Sequence, residues 1–267
     1  MNALLYIEIF VVGTIIGSFI GALTYRIPRG INVAKGRSKC PNCKKTITWY
    51  DNIPLVSYLL LKGKCRRCDL IISKRYFLIE FATGLYFLFL FLLPKAFFCS
   101  ASMSPYCSWE SVLGKGSFLL NIFIFLILFS IFVIDIEKQV IPDTLIFWGT
   151  SIVAGLIILF FPDTFYFSIF SGLIAASFLL FIYMLTKGKG MGLGDAKLAI
   201  FAGLILAWPL TVIWLFSAFL TGAIIGIILI LGRKTSFGKS IAFGPFLVFS
   251  FFLVYFFGDK LLPLLFR

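Results

Sequence analysis

Residues 117–136 read SFLLNIFIFLILFSIFVIDI, an uninterrupted apolar run whose single ionisable group, Asp135, stands next to its end. As a helix it extends about 30 Å, the thickness of a bilayer's hydrocarbon core. The pattern is a continuous run, with no alternation between a wet and a dry face. Similar runs recur at about 4–25, 76–98, 144–162, 166–186, 195–208, 209–231 and 241–257. The chain is 61% hydrophobic and 13% charged over 267 residues, which predicts an all-α polytopic membrane protein of about eight transmembrane helices.

Charge placement tests that reading. Lys and Arg number 24 against 11 acids. In a soluble chain this excess would suggest nucleic acid, but here the basic residues flank apolar runs, so they serve as topology signals and no nucleic-acid partner is expected. Thirteen of them fall between Arg26 and Arg75, which places that polar loop in the cytoplasm. With about eight spans, Lys138, Lys187, Lys189, Lys197, Arg233, Lys234 and Lys239 join the same side, and both termini lie outside. The first run shows no polar break or cleavage site and is expected to stay as a helix. Gly13, Gly17, Ser18 and Gly21 give that helix a small-residue face for close packing. The expected organisation is a first transmembrane helix over 1–26, a small cytoplasmic loop domain over 27–75 and a seven-helix membrane core over 76–267.

The loop contains Cys40-Pro41-Asn42-Cys43 and Cys65-Arg66-Arg67-Cys68. Two C-x-x-C pairs at this separation suit the tetrahedral four-sulfur site of structural zinc, with the intervening segment folded back as a hairpin. A closed site leaves no position for water, so its expected role is structural. Two disulfides, disfavoured in a reducing compartment, and an iron site are the alternatives. Lys39, Lys44, Lys45, Lys64, Arg66 and Arg67 surround the thiolates, most of them read as solvated charges. Cys99 and Cys107 lie in the next loop and form a small disulfide if that loop is periplasmic.

The chemistry available is narrow. There is no histidine, which excludes the usual serine and cysteine triads and histidine-ligated metals. Carboxylates remain. Gly190-Met191-Gly192-Leu193-Gly194-Asp195 is a glycine-rich turn that delivers an acid to the start of an apolar run, where the helix dipole and nearby Lys197 favour the anion. Asp135 lies at the matching membrane face, within an apolar helix end. Asp143 follows Pro142 and reads as an N-cap of the next helix, so Asp135 is the better chemical candidate. Two carboxylates at the ends of different membrane helices suit aspartyl-type peptide hydrolysis, one ionised to activate water and one protonated to polarise the carbonyl. As a cap after a linker, Asp195 would have no chemistry; in a transporter, the two acids would relay ions. Glu80, one turn inside the second run, is either functional or paired with Lys74 or Arg75. Phe243-Gly244-Pro245 breaks the start of the last run, as irregular backbone facing a cavity or as a kink.

Taken together, Gly17-Ser18-Phe19 with Arg26 and Pro28, the two cysteine pairs, Asn52-Ile53-Pro54-Leu55-Val56-Ser57-Tyr58, Lys74-Arg75-Tyr76 with Glu80, Ile134-Asp135, Pro142-Asp143, Gly192-Leu193-Gly194-Asp195 and Phe243-Gly244-Pro245 resemble the type IV prepilin peptidase family over nearly the whole chain. The resemblance implies catalysis by Asp135 and Asp195. It implies cleavage, after a glycine, of the basic leader of prepilins and type II secretion pseudopilins, at the cytoplasmic face of the bacterial inner membrane. Relatives bearing the cysteine loop resemble bifunctional enzymes that N-methylate the new amino terminus with S-adenosylmethionine. The sequence carries no nucleotide-binding glycine fingerprint; Gly63 and Glu80 are the candidates for that half. A peptidase without methyl transfer is the variant reading.

Overall fold

The computed structural model describes residues 3–33, 36, 38–40, 42–92, 116–188, 190–232 and 242–265. Cys99 and Cys107, with the disulfide expected of them, lie outside the described residues, as do Arg233, Lys234 and Lys239. The chain divides into two compact units, residues 1–93 and 94–267.

The first unit is built on two antiparallel helices, α1 (Ala3–Arg26) and α3 (Lys74–Leu92), with the cysteine loop between them. Their contact is the small-residue face expected of α1. A Cβ placed on Gly13 would lie 2.9 Å from the Gly84 backbone, and one on Gly17 would lie 2.7 Å from the Glu80 Cα. Gly21 faces the Tyr76 ring, and the Arg75 guanidinium donates to the Thr24 hydroxyl at 2.6 Å. Lipid tails are as apolar as leucine, so such close approach supplies most of the attraction between membrane helices. Past α1, Gly30 takes φ +65 and Arg26 donates to the carbonyls of Asn32, Val33 and Gly36, pinning the start of the loop. The loop itself holds a 3-10 turn (Trp49–Asn52) and a five-residue helix, α2 (Val56–Leu60). It is therefore not the single hairpin expected between the cysteine pairs.

The second unit holds α4 (Gly116–Lys138), α5 (Asp143–Phe160), α6 (Pro162–Leu185), α7 (Leu193–Leu206), α8 (Leu210–Leu231) and α9 (Gly244–Leu265). Only Phe161 separates α5 from α6. Among the described residues six helices are long and apolar enough to cross a membrane: α1 with its 3-10 extension, α3, α4, α5, α6 and α8. The chain is a multi-pass membrane protein. Of the eight runs read from sequence, α7 departs most. Its 14 residues extend only about 21 Å. It is enclosed by its neighbours, with Leu198, Ala199, Phe201, Ala202 and Leu204 through Leu206 all buried, so it has no lipid-facing length to match. Gly172 of α6 and Gly203 of α7 let those two backbones touch, and Gly149 of α5 receives the Phe201 ring. Several buried polar groups are paired across helices. The Ser171 hydroxyl donates to Thr211, Trp214 Nε1 to the Leu247 carbonyl, and the Tyr255 hydroxyl to Asn121 Oδ1.

Gly17→Ala tests the first helix pair. The added methyl meets backbone, which cannot rotate away, and is expected to destabilise the first unit by about 1–3 kcal/mol, read as a lower thermal midpoint in detergent.

Candidate active site

The sharp end of α4 is where the second unit concentrates its unusual features. Gln139 takes φ +53 and donates its N–H to the Asp135 carbonyl, closing the helix one turn past Asp135. Residues 140–142 then cross to α5. Ile141 is buried on that crossing, and a Cβ on Gly194 would lie 2.8 Å from the Ile141 Cβ. Only a glycine lets the start of α7 settle there, which is the packing reason for the last glycine of the G-x-G-D turn.

Asp195 is the third residue of α7. Its N–H donates to the Gly192 carbonyl at 3.2 Å, and Gly192 N–H donates back to Asp195 Oδ2 at 2.9 Å. The carboxylate thus closes the first turn in a capping arrangement, at the positive end of the helix dipole. This cap and a chemical role are compatible, because it uses one of the two oxygens. Asp135 and Asp195 are 4% and 5% exposed, and they lie near enough to interact electrostatically. Among the described residues Asp135 Oδ2 is fully buried and makes no well-formed hydrogen bond; the Gly244 amide is the backbone donor that approaches the carboxylate. A buried oxygen in that condition costs roughly 1–3 kcal/mol, more if charged.

Gly244, the first residue of α9, forms the wall on the other side. A Cβ there would lie 2.5 Å from Asp135 Oδ2 and 3.0 Å from its Cγ. Phe243-Gly244-Pro245, which reads in the sequence as a break or a kink, is the start of α9 at Gly244, and its amide end abuts the acid. The signal available was a glycine placed directly before the proline that opens a helix.

Two expectations are corrected here. Pro142 occupies the N-cap position of α5 and Asp143 is its first helical residue, with no side-chain cap bond. Asp143 instead accepts from Lys197 Nζ at 2.6 Å. Lys197, expected beside Asp195, is engaged on the surface by Asp143. Both partners are half or more exposed, so the bridge adds little stability.

In the first unit the four cysteines come together. Cys40, Cys43, Cys65 and Cys68 place their sulfurs within 4.8 Å of one another, and Cys40 and Cys68 are 3.8 Å apart. A tetrahedron with metal–sulfur bonds of about 2.3 Å has sulfur edges of about 3.8 Å, so the set fits a metal ion. The two knuckles are copies of one another. Cys40 N–H donates to the Lys45 carbonyl and Lys44 N–H to Cys40; Cys65 N–H donates to Leu70 and Asp69 N–H to Cys65. Lys39 bridges Thr46 as Lys64 bridges Ile71. Arg66 is more than a solvated charge. It binds Asp51 at 2.7 Å, and this guanidinium holds the Asp51 carboxyl below the ordinary range.

Gly63 and Glu80 have backbone tasks. Gly63 takes φ +69 against the Tyr58 hydroxyl, and its carbonyl accepts from Ile72 N–H. Glu80 is buried on α3 beside Ser18 and its Oε2 accepts from Leu55 N–H at 2.8 Å. Leu55 has φ +58, a conformation that costs a branched side chain about 1–2 kcal/mol and persists only where something holds it.

The description "Bacterial Peptidase A24 N-terminal domain" matches residues 11–93, and "Type IV leader peptidase family" matches residues 122–227. Among curated proteins, the chain is 38% identical to a prepilin leader peptidase/N-methyltransferase of Vibrio cholerae over 52% of each chain. It is 32% identical to the protein of that name from Myxococcus xanthus, over 84% of this chain and 62% of the relative. With the one from Aeromonas salmonicida it shares 30% identity over 85% of this chain and 81% of the relative. The chain thus spans between about half and four-fifths of the length of these relatives. No solved structure matches.

Glu80→Ala is expected to release the Leu55 turn, costing about 1–2 kcal/mol and speeding hydrogen exchange at the Leu55 amide. Glu80→Gln, which keeps an acceptor oxygen, should lose less than half as much protection.

Proposed function

The chain belongs to the type IV leader peptidase family, and we propose that it removes the leader of prepilins and type II pseudopilins, with Asp135 and Asp195 as the catalytic pair. The observation that carries this is Asp135 Oδ2, buried at a helix end with only the Gly244 amide approaching its carboxylate, while a second buried carboxylate, Asp195, interacts with it electrostatically. A stable fold gains nothing from such an oxygen. Two close carboxylates cannot both ionise cheaply in a water-poor site, so the pair holds one proton between them. The ionised member takes a proton from water as the water attacks the glycyl carbonyl. The protonated member gives its proton to the carbonyl oxygen, and a proton then passes to the departing amine. This cleavage needs neither an acyl-enzyme nor a metal.

The protein is proposed to lie in the bacterial inner membrane with this pair at the cytoplasmic face. That orientation follows from the basic residues gathered between Arg26 and Arg75. A basic loop repels a basic leader, so the substrate is positioned by its own membrane helix. The four-cysteine set is proposed to hold structural zinc, since four thiolates leave no open coordination position. N-methylation of the new amino terminus is the second proposed activity, on the strength of the relatives' name. S-adenosylmethionine would supply the methyl group. Gly63 and Glu80 are proposed to serve that half by shaping the loop between the knuckles and α3, and no chemical step is assigned to them.

Cleavage of a prepilin co-expressed in membranes tests the pair. Asp135→Asn and Asp195→Asn keep the side-chain shape but cannot exchange the proton; each is expected to abolish processing at normal membrane levels. Full cleavage by either variant removes that residue from the mechanism. Gly244→Ala, which drives a methyl into Asp135 Oδ2, is expected to lower kcat by about a hundredfold with little change in KM.

A further inference from the structure

The five-residue helix α2 (Val56–Leu60) sits in a loop that by charge belongs to the aqueous side, yet its contacts place it elsewhere. We infer that residues 53–61 form an interfacial segment embedded in the lipid of the membrane that α1 and α3 cross, so that the cysteine module is held flat on that membrane's surface.

Depth along α3 is the first argument. Lys74 and Arg75 open this helix and mark the water boundary. The Tyr58 ring packs on Phe77 at 5.4 Å between centroids, and Phe77 lies about 4.5 Å along the axis from Lys74. The Leu55 amide is bonded to Glu80, which lies about 9 Å along. Helical side chains lean toward the N-terminus, so the Leu55 amide is somewhat shallower than the Glu80 Cα. The opposite helix gives the same level: Glu80 faces Gly17, well inside α1. The segment therefore lies about 5–10 Å below the helix end, the depth at which interfacial helices rest.

The outward face is the second argument. Val56, Leu59 and Leu60 are 50%, 64% and 77% exposed, and their spacing puts them on one side of the helix, facing away from the protein. Ile53 extends the same apolar run and is 41% exposed. Helices of this length do not persist in water without packing. One side of α2 has Phe77; among the described residues of the first unit nothing covers the other. Exposed Lys62 and Lys64 follow directly, and exposed Lys74 stands at the α3 end. This is the pairing of apolar wedge and basic flank that acyl chains and anionic headgroups accept together. The rival occupants are the second unit of the chain and a second copy.

Photo-crosslinking in nanodiscs of phosphatidylethanolamine and phosphatidylglycerol distinguishes them. In separate full-length variants Leu59, Leu60 or, as reference, Leu78 of α3 is replaced by p-benzoylphenylalanine; Leu78 is 61% exposed within a span. After irradiation, the intact mass at Leu59 and Leu60 is expected to rise by one phospholipid, as at Leu78. Adducts to peptide, of the same chain or of a second copy, overturn the inference, as does absence of lipid adduct where Leu78 gives one. The unmodified chain gives an independent readout. With methyl-labelled leucine, a doxyl group carried on the lipid chain is expected to broaden the Leu59 and Leu60 resonances. Broadening by a water-soluble gadolinium chelate instead overturns it.

Discussion

A carboxylate oxygen buried beside a second carboxylate is unfavourable on two counts, desolvation and repulsion, and the second unit is arranged so that this condition persists. Asp135 rides on the last turn of a long apolar helix that cannot retract without exposing its own apolar face. Gly194 lets α7 approach the crossing at Ile141, and Gly244 lets α9 close against the acid. Each of these contacts brings backbone where any other residue would bring a side chain. The strain is held by helix packing some distance away, through the backbone touch of Gly172 with Gly203 and the Phe201 ring in the notch at Gly149.

The first unit solves a related problem differently. There a buried acid, Glu80, is satisfied by the amide of a residue in a left-handed conformation. The acid and the turn support each other: Glu80 holds the Leu55 amide, and that amide joins Ser18 in satisfying the buried acid. The glycine face of α1 sets the depth at which this exchange takes place. The cysteine knuckles need no such support from the membrane helices. Each closes on its own two backbone bonds, and the sulfur spacing between them fits a metal ion.

Much of this is legible in the sequence. Long apolar runs gave the spans, because membrane helices must satisfy their backbone internally whatever their neighbours. The knuckles are legible because a four-sulfur cluster asks for paired cysteines at this spacing, and Asp135 stands out because an acid in an apolar run has no local explanation. What failed was whatever depended on contacts distant in sequence. Nothing in residues 195–208 marks α7 as shorter than a span and enclosed; that follows from which helices surround it. Lys197 stands nearest Asp195 in sequence, whereas in space it pairs with Asp143. Gly244 looked like a breaker, since a glycine that exists to admit another residue's carboxylate has the same appearance as one that bends a chain. The dip of residues 53–61 toward α3 was hidden for a different reason: basic residues on both sides made the whole loop look aqueous.

The central claim is that Asp135 and Asp195 act as one unit carrying one proton. It is tested most directly by the pH dependence of kcat/KM for cleavage by the purified protein in lipid. The account predicts a bell, with one limb lost when the pair gains a second proton and the other when it loses its only one. A profile that rises or falls with a single limb across the range where the protein stays folded would contradict it, since one carboxylate working alone gives only one.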